Sequence, residues 1–340
     1  MYKIIGENNK VNYGAIDEPV DFNYSDFKLF NLFGREITGL RRKFALHAFN
    51  YVGLVTDEHL IGLAAVNLSY AANVFAFVFS HGQGKRYEFN TIMPPGRLSF
   101  PINPDAYEIV FKSRKGHLTI SKSHARGTLD IDGNFENNLI VKGSFPYSLK
   151  SHSPLRVLNP SCGDPDRFTF TEKCAPIAPR TLAVSFNGQD LTPAPDKALL
   201  LYDWSGGFLN RNTNWLWAAF AGVTADGATV GANFAALVNE TYFPENAFWI
   251  NNQRTRVDRV IFDFDRTNPT GTWRLWSEDG KVDLTVLPVP ARGEKKNAGF
   301  FKINFQQFVG RFSGALTPED GRAVQLKAVK GLTEIHYSVW

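Results

Sequence analysis

Three stretches of this chain place ionisable side chains where they could move a proton. The first begins at Leu200 and reads LLYDWSGGFLNRNTNWLWA, with three of the protein's seven Trp beside Asp203 and the Gly206-Gly207 pair. Asp203 follows the apolar run Ala198–Tyr202, so burial would raise its pKa and let it protonate a double bond or a leaving group. An Asp that merely caps a turn is the plainer reading. The second is Glu334 with His336, two apart and therefore on one face of a strand. A carboxylate beside an imidazole can fix its tautomer or raise its pKa, which suits acid–base work; a pair at the rim of the fold is the alternative. The third surrounds Pro244, where Asn239-Glu240 and Glu245-Asn246 adjoin Phe248 and Trp249. These groups make either a polar floor in an apolar pocket or a hydrogen-bonded network that fixes a hairpin.

The ligand-facing candidates are Trp204, Trp215, Trp217, Asn239, Asn246 and Trp249, with Arg274 and Arg311. Strand alternation puts Trp215 and Trp217 on one face and Leu216 on the other, so those two rings line a cavity or pack a wall together. Arg274, Glu278, Asp283 and Arg311 read as internal ion pairs, because a buried Arg is seldom left unpaired. Asp263 and Asp265 share a face with Ile261; solvated strand-face acids are the commoner case.

The elements that must position these residues are strands. Asp-Gly recurs at Asp132-Gly133, Asp226-Gly227, Asp279-Gly280 and Asp320-Gly321, and Asn251-Asn252 adds a further turn. Such dipeptides between alternating segments are strong hairpin signals. Val282, Leu284 and Val286 alternate with Asp283, Thr285 and Leu287; Leu118, Ile120 and Lys122 share a face. Helical signal is weak: Arg41–Asn50 fits a strand about as well, and a short helix is expected after Pro104-Asp105. From 151 to 195 Pro is frequent and alternation poor, which predicts a connection without central strands. Residues 1–150 and 196–340 then form two β units. The expected class is all-β, two antiparallel barrels or strongly curved sheets packed together, with few short helices.

Composition narrows the function. Hydrophobic residues make 44% and charged residues 21% of the chain, as in a globular core-forming protein. The net charge of +4 is scattered, with short clusters only at Arg41-Arg42-Lys43 and Lys295-Lys296, so no nucleic-acid groove is expected. Cys162 and Cys174 have no accompanying C-x-x-C or His pair, so no metal site is expected and two unpaired thiols are. No signal peptide and no apolar run long enough to span a bilayer occur, which predicts a cytoplasmic protein without an integral membrane segment. Gly82-Gln83-Gly84-Lys85 is a turn. No catalytic elbow, HExxH, phosphate loop or dinucleotide glycine pattern is present, so no cofactor is expected.

The C-terminal half resembles the bacterial family called domain of unknown function 2804. YDWSGGFLNRNTNWLWA, LVNETYFPENAFWINN, TWRLWSEDGKVDLTVLPVPARGEKKN and FVGRFSGALTPEDG carry the resemblance, together with the ending EIHYSVW. GREITGLRRKFALHAFNYVGLVTDEHLIGLAAVNLSYAANVFAF and PPGRLSFPINP extend it more loosely into the N-terminal half. The family's opening motif usually has a His after its Asp-Trp or Asp-Tyr element; here Asp203-Trp204 is followed by Ser205-Gly206-Gly207. The family looks related to the lipocalin-like superfamily of carotenoid hydratases and tocopherol cyclase. That resemblance implies two lipocalin-like barrels around a hydrophobic cavity, and it names no reaction.

The sequence thus predicts a monomer or homodimer that binds a hydrophobic small molecule, such as a terpenoid, polyketide or acyl chain, in an aromatic-lined cavity. Cofactor-free hydration, isomerisation or cyclisation would follow, with Asp203, Glu240 or Glu334–His336 moving the proton and Trp faces steadying a cation. A non-catalytic carrier is the first alternative. A carbohydrate-binding protein is the second, and would show Trp faces along an open groove.

Overall fold

The hairpin pattern resolves, in a computed structural model that describes residues 1–162, 164–238, 243–299 and 301–339, into three large antiparallel sheets, two small two-stranded sheets near the N-terminus and two short α-helices among the described residues. A central eight-stranded sheet runs in the order Gly14–Ala15, Leu155–Ser161, Asp164–Ile177, Ala198–Phe208, Leu46–Thr56, His59–Asn67, Ala72–Ser80, Gly84–Met93. A seven-stranded sheet carries Leu98–Ser99, Ala106–Ser113, Gly116–Ser123, Thr128–Phe135, Leu139–Pro146, Thr181–Phe186 and Gln189–Asp190. A nine-stranded sheet is built from the strands between Asn212 and Val339, and it curls so that Val260–Asp263 approaches Thr229–Ala236.

The central sheet is covered on both faces, which explains why Ala198–Phe208 is buried at every position. One face meets the seven-stranded sheet, where Tyr107 and Tyr202 touch through their hydroxyls. The other meets the outer face of the curled sheet. At Gly231 a Cβ would lie 2.5 Å from the Ala175 carbonyl carbon, so only Gly lets these two backbones approach so closely. The inside of the curl is a separate apolar core of Phe220, Phe234, Phe248, Trp273, Phe308 and Phe312. Each such ring contributes about 1.5–3 kcal/mol by leaving water. Val282, Leu284 and Val286 point into this core, and Asp283, Thr285 and Leu287 point out, as their alternation predicts.

Several sequence expectations are corrected. The Pro-rich 151–195 stretch contains two central strands, Leu155–Ser161 and Asp164–Ile177. Its prolines sit where the ladder needs no donor: Pro160 and Pro176 at bulges, Pro154 and Pro179 beyond strand ends. Ala198–Phe208 belongs to the central sheet through pairing with Leu46–Thr56, and the curled sheet begins at Asn212–Val223. Asp132-Gly133 lies within a strand, where Gly133 makes room for the Phe135 ring; the turn falls instead at Glu136 and Asn137, both with positive φ. The Asp-Gly pairs at 226, 279 and 320 and the Asn251-Asn252 pair do form turns. A helix covers Gly39–Phe44 before the strand Leu46–Thr56, and the residues after Asp105 form a strand rather than a helix.

Candidate functional site

Alternation on the Asp164–Ile177 and Ala198–Phe208 strands sends charged groups to both faces of the central sheet. Glu172 and Tyr202 face the seven-stranded sheet; Lys173 and Asp203 face the curled sheet. On the first side Glu172 is the hub of a sealed network. Lys122 Nζ donates to it at 2.6 Å, Tyr147 Oη at 2.7 Å, His124 Nε2 lies at 3.1 Å and Arg156 Nε at 3.1 Å. Burial alone would raise the Glu172 carboxyl, but Lys122, His124 and Arg156 outweigh burial and hold it well below the usual carboxylate range. Asp105, His124 and Glu172 bring donor atoms within 4.8 Å of one another. Lys122 and Arg156 already lie against those carboxylates, so the cluster is charge-compensated and poorly suited to a dication.

The second side is the candidate site. Lys173, Asp203, Tyr51, Ala64 and Phe75 lie opposite one another across five strands of the central sheet. A matching row crosses the outer face of the curled sheet: Arg292, Gln307, Glu334 and Trp217. One step along, Phe305, His336 and Trp215 form a second row. The rows meet where the Tyr51 ring stands edge-on to Trp217 at 5.7 Å and the Arg292 guanidinium lies 3.9 Å from the centre of Phe75.

Asp203 is buried and salt-bridged to Lys173, which also has Glu245 Oε2 at 3.8 Å. Thr171 Oγ1 donates to Glu245 Oε1 at 3.2 Å and lies 3.1 Å from Ser205 Oγ. Burial pushes the Asp203 carboxyl up and Lys173 pulls it down; the balance is a pKa of about 6. Asp203 therefore exchanges a proton near neutral pH, as acid–base work requires.

Glu334 and His336 do share a face. Trp215 joins them, donating its indole N–H to Glu334 Oε2 at 3.0 Å while its ring stacks on His336 at 3.6 Å. Gln307 Nε2 donates to Glu334 Oε1 at 2.6 Å. Burial raises Glu334 against these two hydrogen bonds, and burial lowers His336 to about 3. His336 is thus a neutral ring near pH 7, with Nε2 3.1 Å from Ser338 Oγ.

The remaining sequence candidates fall elsewhere. Trp204 is on the face opposite Asp203, packed on Phe22 and Phe170 in the core. Trp249 is wholly buried and donates to the Ser153 carbonyl at 3.0 Å. Asn246 accepts from Ala235 N at 2.8 Å and donates to Asp258 O at 3.0 Å, so it ties a hairpin together. Trp217 donates to Asn233 Oδ1 at 2.7 Å. Arg274 and Arg311 are corrected: alternation turns both outward, Arg274 pairing on the surface with Asp283 at 3.1 Å and Glu278 pairing with Arg259. Asp263 and Asp265 are also exposed. Asn239 and Glu240 lie outside the described residues.

Sequence reasoning missed Tyr51, Lys173, Arg292 and Gln307. The residues that seat them carried a weak signal. Gly53 leaves the space that the Tyr51 hydroxyl occupies, 2.8 Å from where a Cβ would be. A β-bulge between Pro290 and Arg292 brings Arg292 into line with Gln307, the kind of re-aiming that bulges perform beside sites.

A family model for a domain of unknown function, DUF2804, matches residues 19–340. The chain belongs to the DUF2804 family. No curated protein matches it. Among solved structures, this DUF2804 member is similar to CghA, with 9% identity and a TM-score of 0.51 over 98% of this chain and 96% of that one. It is also similar to kievitone hydratase from Nectria haematococca, at 14% identity and a TM-score of 0.49 over 86% of this chain and 89% of that one. At 9% identity the likeness to CghA is one of fold. No described helix is long and apolar enough to cross a membrane.

Proposed function

We propose that the seam between the central and curled sheets binds a small apolar molecule and that Asp203 exchanges a proton with it, in a hydration, isomerisation or cyclisation. The observation that carries this reading is Asp203 itself, a buried carboxyl with a pKa of about 6, paired with Lys173 and directly opposite Tyr51, whose ring stands against Trp217. Burial brings this carboxyl closer to neutral pH than an exposed Asp, and Lys173 and Ser205 hold it in place. Aromatic walls supply apolar contact and, for a cationic intermediate, facing π surfaces.

The site sits on the outer wall of the curled sheet, whose interior is filled by its own aromatic core. Because that interior is filled, the proposed ligand is assigned to the seam between the sheets and not to the inside of a second barrel. The sugar-binding alternative needs flat, solvent-facing Trp rings; Trp217 and Trp249 are buried and the Trp215 face is covered by His336.

Native mass spectrometry of protein purified from its own source tests the binding reading, by detecting a retained molecule. Turnover of that molecule by wild type and by Asp203→Asn then tests the chemistry. Binding without turnover in the variant supports the assignment; full turnover in Asp203→Asn removes Asp203 from the mechanism and leaves a carrier.

A further inference from the structure

Three buried polar atoms in the seam have no hydrogen-bond partner among the described residues: Tyr51 Oη, Arg292 Nη1 and Gln307 Oε1. Tyr51 is 5% exposed, Gln307 1%, and the Arg292 side chain 5%. Leaving a buried donor or acceptor unmade costs about 1–3 kcal/mol each, more for a charged group. Most buried polar groups in proteins are satisfied, so three in one place call for an explanation.

They are gathered in one place. Gln307 lies directly opposite both Arg292 and Glu334, and its amide nitrogen is bonded to Glu334. Tyr51 is near enough to Glu334, Arg292 and Asp203 for all three charges to act on its hydroxyl. The Arg292 guanidinium is held by Glu88 at its Nε and by the rings of Phe75, Phe77 and Phe305, which leaves Nη1 as a fixed donor. Burial and the neighbouring Glu334 keep Tyr51 protonated, so its hydroxyl is a donor.

From these positions we infer that Arg292 and Tyr51 form a carbonyl-binding pair, and that the ligand of the seam is an apolar, enolisable ketone or enone carrying an O–H or N–H near its carbonyl. The carbonyl oxygen accepts from Arg292 Nη1 and Tyr51 Oη, and the ligand's own donor goes to Gln307 Oε1. This rests on the proposed role of the seam and adds the substrate class. A neutral ligand fits better than a carboxylate, because Asp203, Glu245, Glu334 and Glu88 already supply negative charge around Lys173 and Arg292.

The pair also defines a reaction step. Asp203, as carboxylate, takes a proton from the carbon next to the carbonyl. The C–H electron pair forms a carbon–carbon double bond, and the carbonyl π pair moves onto oxygen. The product is an enolate and a protonated Asp203. Donors fixed where that oxygen charge develops stabilise the step more than the ground state. In a β,γ-unsaturated ketone the enolate is conjugated with that double bond, and returning the proton to the γ-carbon shifts the double bond into conjugation with the carbonyl and restores the Asp203 carboxylate.

The test uses the full chain and a matched pair of probes, benzylideneacetone and 1-phenylbut-1-ene, which differ in the carbonyl. Binding is read by quenching of Trp fluorescence. The ketone should bind at least about 10-fold more tightly than the alkene, in keeping with the strength of a charge-assisted bond in a buried site. Tyr51→Phe, which keeps the ring, and Arg292→Lys, which keeps the charge, should each weaken the ketone about 10-fold and leave the alkene unchanged. Equal binding of ketone and alkene overturns the inference while leaving the seam as a binding site. A ketone preference that survives both variants overturns the assignment to Arg292 and Tyr51. Binding of neither probe sinks the seam as a ligand site and this inference with it.

Discussion

Replacing Asp203 with Asn keeps the shape of the side chain but removes its titration and the negative partner of the buried Lys173. The carboxyl has a pKa of about 6 in the folded protein and an ordinary value of 3.8. Between those values the native state holds a proton that the unfolded chain releases. Wild-type stability therefore falls as pH rises through this window. At about 1.4 kcal/mol per pH unit, the loss reaches about 3 kcal/mol above pH 6. Asp203→Asn has no such loss. The difference in unfolding free energy, variant minus wild type, should rise by about 3 kcal/mol between about pH 3.5 and about pH 7. Urea denaturation of both proteins at matched pH measures it; titrating groups that do not touch Asp203 cancel in the difference, so the change with pH, and not its absolute level, is the readout. A profile flat to within about 0.5 kcal/mol, or one that slopes the other way, would show that Lys173 outweighs burial and that Asp203 is simply ionised.

Other expectations follow from the same geometry. Glu172→Gln leaves Lys122 and Arg156 buried beside a neutral amide, and urea midpoints should show a loss of about 3–5 kcal/mol; a loss under about 1 kcal/mol would mean the hub is dispensable. Gly53→Ala puts a methyl group where the Tyr51 hydroxyl lies. It should cost about 1–3 kcal/mol in the same assay, and pairing it with Tyr51→Phe should recover part of that loss. His336, held to about 3 by burial, should show neutral-ring nitrogen shifts by NMR from about pH 5 to about pH 8; a titration within that range contradicts its burial against Trp215.

The sequence was most legible where one period governed one strand. The stretch 282–287 and the pairs Trp215–Trp217 and Glu334–His336 face as alternation requires. It was least legible where both faces of a strand are buried, since alternation then carries no contrast. In FTFTEKCAPI, Phe168, Phe170 and Glu172 go one way and Thr171 and Lys173 the other, yet every position is buried. Pro160 and Pro176 at bulges then made this central strand pair look like a linker. Arg292 was invisible for a related reason: its direction is set by a bulge that shifts phase partway along a strand. Arg274 looked like Arg292 in the sequence, and nothing local separates an outward Arg from an inward one. Lys122 did carry a signal, as the one cation in phase with Leu118 and Ile120.

The strand pair that divides the two polar layers also works as a key for its own assembly. Glu172 and Lys173, like Tyr202 and Asp203, are neighbours in the chain that serve opposite compartments. A slip of one residue in Asp164–Ile177 would carry Lys173 toward Lys122 and Arg156, and Glu172 toward Asp203 and Glu245. Like charges would meet on both sides at once, where a purely apolar strand would only trade one methyl group for another. The buried ions thereby act as a check on alignment during folding. A single-residue deletion between Asp164 and Ile177 should be far less tolerated than one in the hairpin tips at Asp226-Gly227 or Asp320-Gly321, where the chain turns in solvent.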